Sequence, residues 1–198
     1  MLPVCAVGDK MLQWLVEIDE AACARVAAAG CPWCRGPLHR SDYPRKPRGG
    51  LLAACGEVHT RRLSLCCGWQ GCRRRSTPPS VRFLGRRVYL GAAVILASIA
   101  AQALAAAREV KRATGIPART VGRWRRWWQT GFAHSRLFEE QRGRFLPPLE
   151  IAELPASLVE RFDRAGHAMS VALVRTLGFL SPLTTVSVAP GARFVMVG

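Results

Sequence analysis

The sequence predicts a mainly α protein with a small cysteine-bearing β module and a helix-turn-helix bundle. Three observations predict it. Apolar residues recur at helical spacing on both sides of a central stretch rich in Cys, Pro, Gly and Arg. That stretch, residues 31–87, carries six of the eight cysteines and short β-prone runs. Residues 108–131 place two short amphipathic helical segments around a glycine. With 198 residues, 49% hydrophobic and 21% charged, the balance is globular, which excludes wholesale disorder and a large multidomain enzyme.

In chain order, residues 11–29 read as an amphipathic helix on Leu12, Leu15, Val16, Ile18 and Val26, with Gly30 as its stop. Residues 1–30 thus form an N-terminal helical segment. Within 31–87 the candidate strands are Leu63–Cys66 and Val81–Leu84, and Tyr43–Gly50 is a Pro/Gly/basic loop. Residues 88–107 carry no charge. Their length would permit a membrane span, but the alanines, Ser98 and Gln102 dilute the apolar signal. A buried helix between the cysteine module and the later helices is expected instead, because Val88, Ile95 and Ile99 face one side and Leu90, Val94 and Leu104 the other. It opens a bundle over 88–132. The tail, 133–198, passes Pro147–Pro148 and predicts helices near 155–165 and 168–179.

Charge separates function classes more sharply than hydropathy does. The chain holds 29 basic and 13 acidic side chains, net +16. Residues 35–87 hold 13 basic against 2 acidic side chains, and residues 108–144 hold 10 against 3. The two ends are acidic or neutral, so a polyanion-binding surface should come from the middle of the chain. Arg73, Arg74, Arg75, Arg82, Arg86 and Arg87 follow the last cysteine with no acid between Glu57 and Glu109. Arginines on such a hairpin suit phosphate contacts.

The cysteines suggest why that hairpin would be stiff. Cys31-Pro-Trp-Cys34 is a tight turn that can aim two thiolates at one metal ion, and Cys67 with Cys72 can close a tetrahedral site, Cys66 being the alternative to Cys67. No secretory signal is visible, and in a reducing cytoplasm clustered cysteines point to metal ligands rather than disulfides. A four-ligand site is closed, so the expectation is a structural zinc ion (Zn2+) in a zinc-ribbon-like module. His39 and His59 are further candidate ligands.

The second basic block has its own architecture. Gly115 stands where a turn between helices needs positive φ, and Pro117 suits the first turn of the following helix. On helix 117–129, Val121, Trp124 and Trp128 share an inward face, while Arg119, Arg123 and Arg126 share an outward one with Thr120 near it. Such a helix is shaped for a major groove, where arginine forks onto guanine, with Lys111 and Arg112 on the preceding helix for phosphates. The indoles could alternatively stack on unpaired bases, as could Trp33 and Trp69 beside the cysteines, which would make the chain a single-stranded nucleic-acid or RNA-binding protein.

The CPWC turn, the Cys67/Cys72 pair followed by RRRSTPPS, and GIPARTVGRW together resemble the zinc-ribbon and helix-turn-helix region of bacterial insertion-sequence transposases, over about residues 31–130. The last motif also resembles the DNA-binding end of resolvases. The resemblance implies binding of double-stranded DNA at element ends or a promoter. It brings no catalytic core: Glu139, Glu140, Glu150, Glu153, Glu160 and Asp163 read as helix-surface charges. The expectation is therefore a cytoplasmic, non-enzymatic DNA-binding protein, an accessory factor or regulator, or a truncated transposase remnant. Its tail suits a homodimer or docking of a recombinase or transposase.

Overall fold

The computed structural model describes residues 8–45, 57–84, 89–103, 107–163 and 168–185. Over these the chain is mainly helical with small antiparallel sheets. Helix α1 spans Asp9–Ala29 and ends where Gly30 takes φ 74°. The cysteine module follows: β1 (Leu38–Arg40), β2 (Tyr43–Pro44), α2 (Glu57–Thr60), β3 (Arg61–Arg62), β4 (Leu65–Cys67) and β5 (Arg75–Ser76). The order β1–β4–β5 makes one antiparallel sheet, with Leu38 opposite Cys67 and Leu65 opposite Ser76, while β2 and β3 pair separately.

The helical body comprises α3 (Gly91–Ala103), α4 (Ala107–Thr114), α5 (Ala118–Trp127), a π-helical turn at Trp128–Phe132, α6 (Arg136–Gln141), α7 (Ala156–Phe162) and α8 (Met169–Leu180). Helix α3 is buried on nearly every side, from Ala92 through Ala97 and again at Ala100. It packs against α4, α5 and α8, and at its start the Gly91 N–H donates to Arg82 O at 2.8 Å. Gly91 permits this: a Cβ there would lie 2.7 Å from Leu177 Cδ2. Among the described residues, no helix is long and apolar enough to cross a membrane.

One apolar core runs from Met11, Leu12 and Leu15 of α1 through Phe83, α3 and α5 to Leu177 and Leu180 of α8. A division at 132/133 therefore cuts through a shared core. Among the described residues a small separate cluster joins Cys23 of α1 to Leu63 and Leu65 of the cysteine module.

Two strand expectations are corrected. Leu63–Cys66 is shortened and shifted: the strand is β4, Leu65–Cys67, and Leu63 and Ser64 form the link from β3, which belongs to the other sheet. Val81–Leu84 is not a strand and keeps only a bridge from Phe83 to Leu90. Side chains take its backbone amides instead. Thr184 Oγ1 accepts from the Ser80 N–H, Asp19 Oδ1 from Val81, and Ser80 Oγ from both Arg82 and Phe83. Helix α6 carries Glu139 and Glu140, read from the sequence as helix-surface charges, and Ser135 caps it by accepting the Phe138 N–H at 3.2 Å. The expected β-prone end of the tail lies outside the described residues.

Candidate metal centre and nucleic-acid interface

Cys31, Cys34, Cys67 and Cys72 converge, with all four Sγ atoms within 4.8 Å of one another. Two edges of the group measure 3.7 Å (Cys31–Cys72) and 3.4 Å (Cys34–Cys67). Both far exceed the ~2.05 Å of a disulfide. They approach the ~3.8 Å edge of a thiolate tetrahedron built on a metal–sulfur distance of ~2.3 Å. The four cysteines can hold a metal ion.

Local backbone geometry builds the group. Cys31 follows the glycine that ends α1, and its turn closes with the Arg35 N–H donating to Cys31 O at 2.8 Å and the Cys31 N–H to Gly36 O at 2.9 Å. Cys67 ends β4, and Cys72 closes a turn in which the Cys72 and Arg73 amides both donate to Trp69 O at 3.0 Å. The wide Cys67–Cys72 spacing is thus a strand end plus a turn. Amides of Trp33 and Cys34 point at the Cys31 thiol, Gly36 at Cys34, and Trp69 at Cys67. Gly36 must remain small, since a Cβ there would meet Cys34 Sγ at 3.3 Å and Cys67 Sγ at 3.4 Å.

The thiols perturb one another as a set. Burial pushes Cys31 up, but the Trp33 and Cys34 amides and the neighbouring thiols outweigh it and bring the group down to about 7. Cys34 goes the other way: the Gly36 amide favours its thiolate, yet burial and Cys67, Cys31 and Cys72 together push it up to about 12. Burial also raises Cys67. One negative charge is welcome in the cluster and a second is opposed, and a bound cation would remove that opposition.

Cys66 lies outside the group. Successive strand residues point to opposite faces, so Cys67 turns inward while the Cys66 thiol donates to Arg73 O at 3.4 Å. His39 is exposed and is not one of the clustered ligands.

The arginines after Cys72 divide. Arg73 and Arg74 are exposed, and Arg74 lies 5.4 Å above the Trp33 ring. Arg75 is exposed but engaged, donating to Ser41 O at 2.8 Å and Ser64 Oγ at 2.9 Å. Arg82 corrects the expectation of a DNA contact. It is 1% exposed and pairs with Asp19, also 1% exposed, at 2.8 Å. Ser80 Oγ donates to the same carboxylate at 2.6 Å. Arg62, on β3 ahead of the Cys67/Cys72 pair, is likewise buried and donates to Pro78 O. Arg86 and Arg87 lie outside the described residues, as do residues 46–50 of the basic loop.

The second basic block folds as α4, a turn and α5. Gly115 takes φ 66°, its amide donates to Lys111 O at 2.8 Å, and Thr114 Oγ1 accepts the Ile116 N–H. Pro117 caps α5 from just outside it. Ile116, Val121, Trp124 and Trp128 are buried. Trp124 meets Tyr89 edge-on at 4.9 Å, and Trp128 Nε1 donates to Ser98 Oγ at 3.2 Å. The continuation expected to residue 129 becomes the π turn, where Trp127 lies over Gly131.

Arg119, Arg123, Arg125 and Arg126 are exposed, as are Lys111 and Arg112 on α4. Among the described residues no carboxylate pairs with any of them. Thr120 is a correction: it is buried, because it lies one turn before Trp124 on the inward face. Its Oγ1 accepts from Arg123 Nη2 at 3.4 Å, so it orients that arginine rather than facing outward. Arg125 is exposed on the same helix and was not singled out from the sequence.

No protein-family model, no curated protein and no solved structure matches this chain.

Proposed function

We propose that this chain is a zinc-containing protein that binds double-stranded DNA, with α5 reading the major groove. The observation that carries this is the division of α5 into two faces. Val121 and Trp124 are sealed into the core, while Arg119, Arg123 and Arg126 stand in solvent with no carboxylate partner among the described residues. Arginines in that arrangement can fork onto guanine O6 and N7, and Lys111 and Arg112 can take flanking phosphates. The cysteine quartet takes one zinc ion in a structural role, since four protein ligands leave no open coordination position.

In this reading the module resembles the DNA-recognition region of insertion-sequence transposases and serves as a mobile-element accessory factor or a cytoplasmic transcriptional regulator. Because one helix-turn-helix covers few base pairs, the chain works as a homodimer or beside a recombinase or transposase. The test is duplex binding by three single variants, measured across a salt series. Arg123→Ala should cost about 1–3 kcal/mol and relax preference at one base position. Lys111→Ala should weaken all sequences alike and reduce the salt slope by about one. Equal affinity and preference in Arg119→Ala, Arg123→Ala and wild type would refute the assignment of α5.

A further inference from the structure

The cysteine module carries a surface that neither its core nor α5 uses. Trp33 is 37% exposed and Trp69 60% exposed, although indoles are among the side chains with most to gain from burial. Both rise from the turns that position the thiols, since the Trp33 amide points at Cys31 and the Trp69 amide at Cys67. Both indoles therefore belong to turns that supply thiols to one cysteine group. The Arg74 guanidinium lies 5.4 Å over the Trp33 ring.

Arg35 and Arg73 frame the same turns. Each directly follows the second cysteine of its pair, and each takes a left-handed backbone conformation, φ 62° and 45°. Glycine adopts that conformation without strain, and arginine does not. Both positions nevertheless carry an exposed arginine. An outlier of this kind, repeated at two equivalent places beside exposed aromatics, points to a use for the side chain.

We propose that Trp33 and Trp69, with Arg35, Arg73 and Arg74, form a second nucleic-acid site that binds an unpaired DNA strand by stacking its bases on the indoles. Indoles stack on base faces that a duplex hides, and the arginines supply the charge that follows a backbone. This site does not depend on α5, so the two assignments can fail separately.

The experiment is anisotropy of labelled oligo-dT, oligo-U and a duplex with the full chain at ~150 mM salt, where purely ionic binding is already weakened. Trp33→Leu and Trp69→Leu should each weaken oligo-dT binding about tenfold, with Trp69→Phe close to wild type because a ring remains to stack. Duplex affinity should not change in these variants. Metal content measured alongside confirms that the module is intact, and Trp69 is exposed enough for leucine to be tolerated. Conversely, Arg119→Ala with Arg123→Ala should lower duplex affinity and leave oligo-dT binding intact. Unchanged oligo-dT binding in the leucine variants, or Trp69→Phe as weak as Trp69→Leu, would overturn the stacking site. Tighter binding to oligo-U than to oligo-dT would overturn its assignment to DNA.

Discussion

Replacing Asp19 should weaken the fold far more than an ordinary surface carboxylate would. Its carboxylate accepts Arg82 Nε at 2.8 Å, Ser80 Oγ at 2.6 Å and the Val81 amide at 2.7 Å, all in a site closed to solvent. It ties α1 to the segment that leads into α3. Removing one partner of a buried ion pair strands the other charge, which costs about 3–5 kcal/mol. That is a large share of the ~5–15 kcal/mol that holds a typical domain together. At roughly 2–4 °C per kcal/mol for a chain of this size, Asp19→Ala should lower the unfolding temperature by on the order of 10 °C. Asp19→Asn keeps an acceptor for the Val81 amide but puts an NH2 donor where Oδ2 accepted from Arg82 Nε and Ser80 Oγ. Adding Arg82→Met to it removes the stranded cation, so the double variant should be more stable than Asp19→Asn alone. Thermal and urea unfolding followed by circular dichroism gives both comparisons. An Asp19→Ala loss below ~1 kcal/mol, or strictly additive effects in the pair, would refute the reasoning. Because Arg82 is sealed, folded Arg82→Met protein should bind DNA as wild type does.

Three further outcomes are expected of the two sites. Cys34→Ser, or a strong chelator, should remove the metal and unfold the cysteine module, whose Leu63 and Leu65 share a small cluster with Cys23 of α1, while far-ultraviolet dichroism keeps most of its helical signal; full metal content in Cys34→Ser would contradict this. Metal retention should fall as pH drops, because protons compete with the metal for the thiolates and Cys34 is held above the ordinary thiol range by burial and its neighbouring thiols; competition dialysis across a pH series reads the effect. Gly115→Ala should destabilise by about 1–2 kcal/mol, since φ 66° opposes a Cβ, and duplex affinity should fall with the altered approach of α5 to α4; thermal unfolding and anisotropy check the two parts.

The helical elements were legible where periodicity and punctuation agreed. Gly30, Gly115 and Pro117 mark boundaries that the structure places within a residue or so. The inward face of α5 was legible because Val121, Trp124 and Trp128 repeat at helical spacing and nothing competes with that pattern. Cys67 over Cys66 was not, because the choice depends on which face of β4 turns toward the Cys31 turn. The fate of Arg82 was hidden by its neighbours: in sequence it belongs to an arginine run, and only the fold brings Asp19 to it. A signal did exist on α1. Asp19 occupies the apolar stripe formed by Leu12, Leu15, Val16 and Cys23, and an acid in such a position announces a buried partner. Val81–Leu84 failed as a strand for the same reason, since Asp19 and Ser80 capture amides that a ladder would need.

Sequence-specific duplex recognition by α5 is tested most directly by selecting bound sequences from a random duplex pool, with zinc-loaded protein at ~150 mM salt. The account predicts an enriched motif containing guanine, lost in Arg123→Ala, and a two-fold symmetric motif if the chain binds as a dimer. Measurable binding with no enriched sequence would contradict it and reduce the basic surface to a general grip on polyanions.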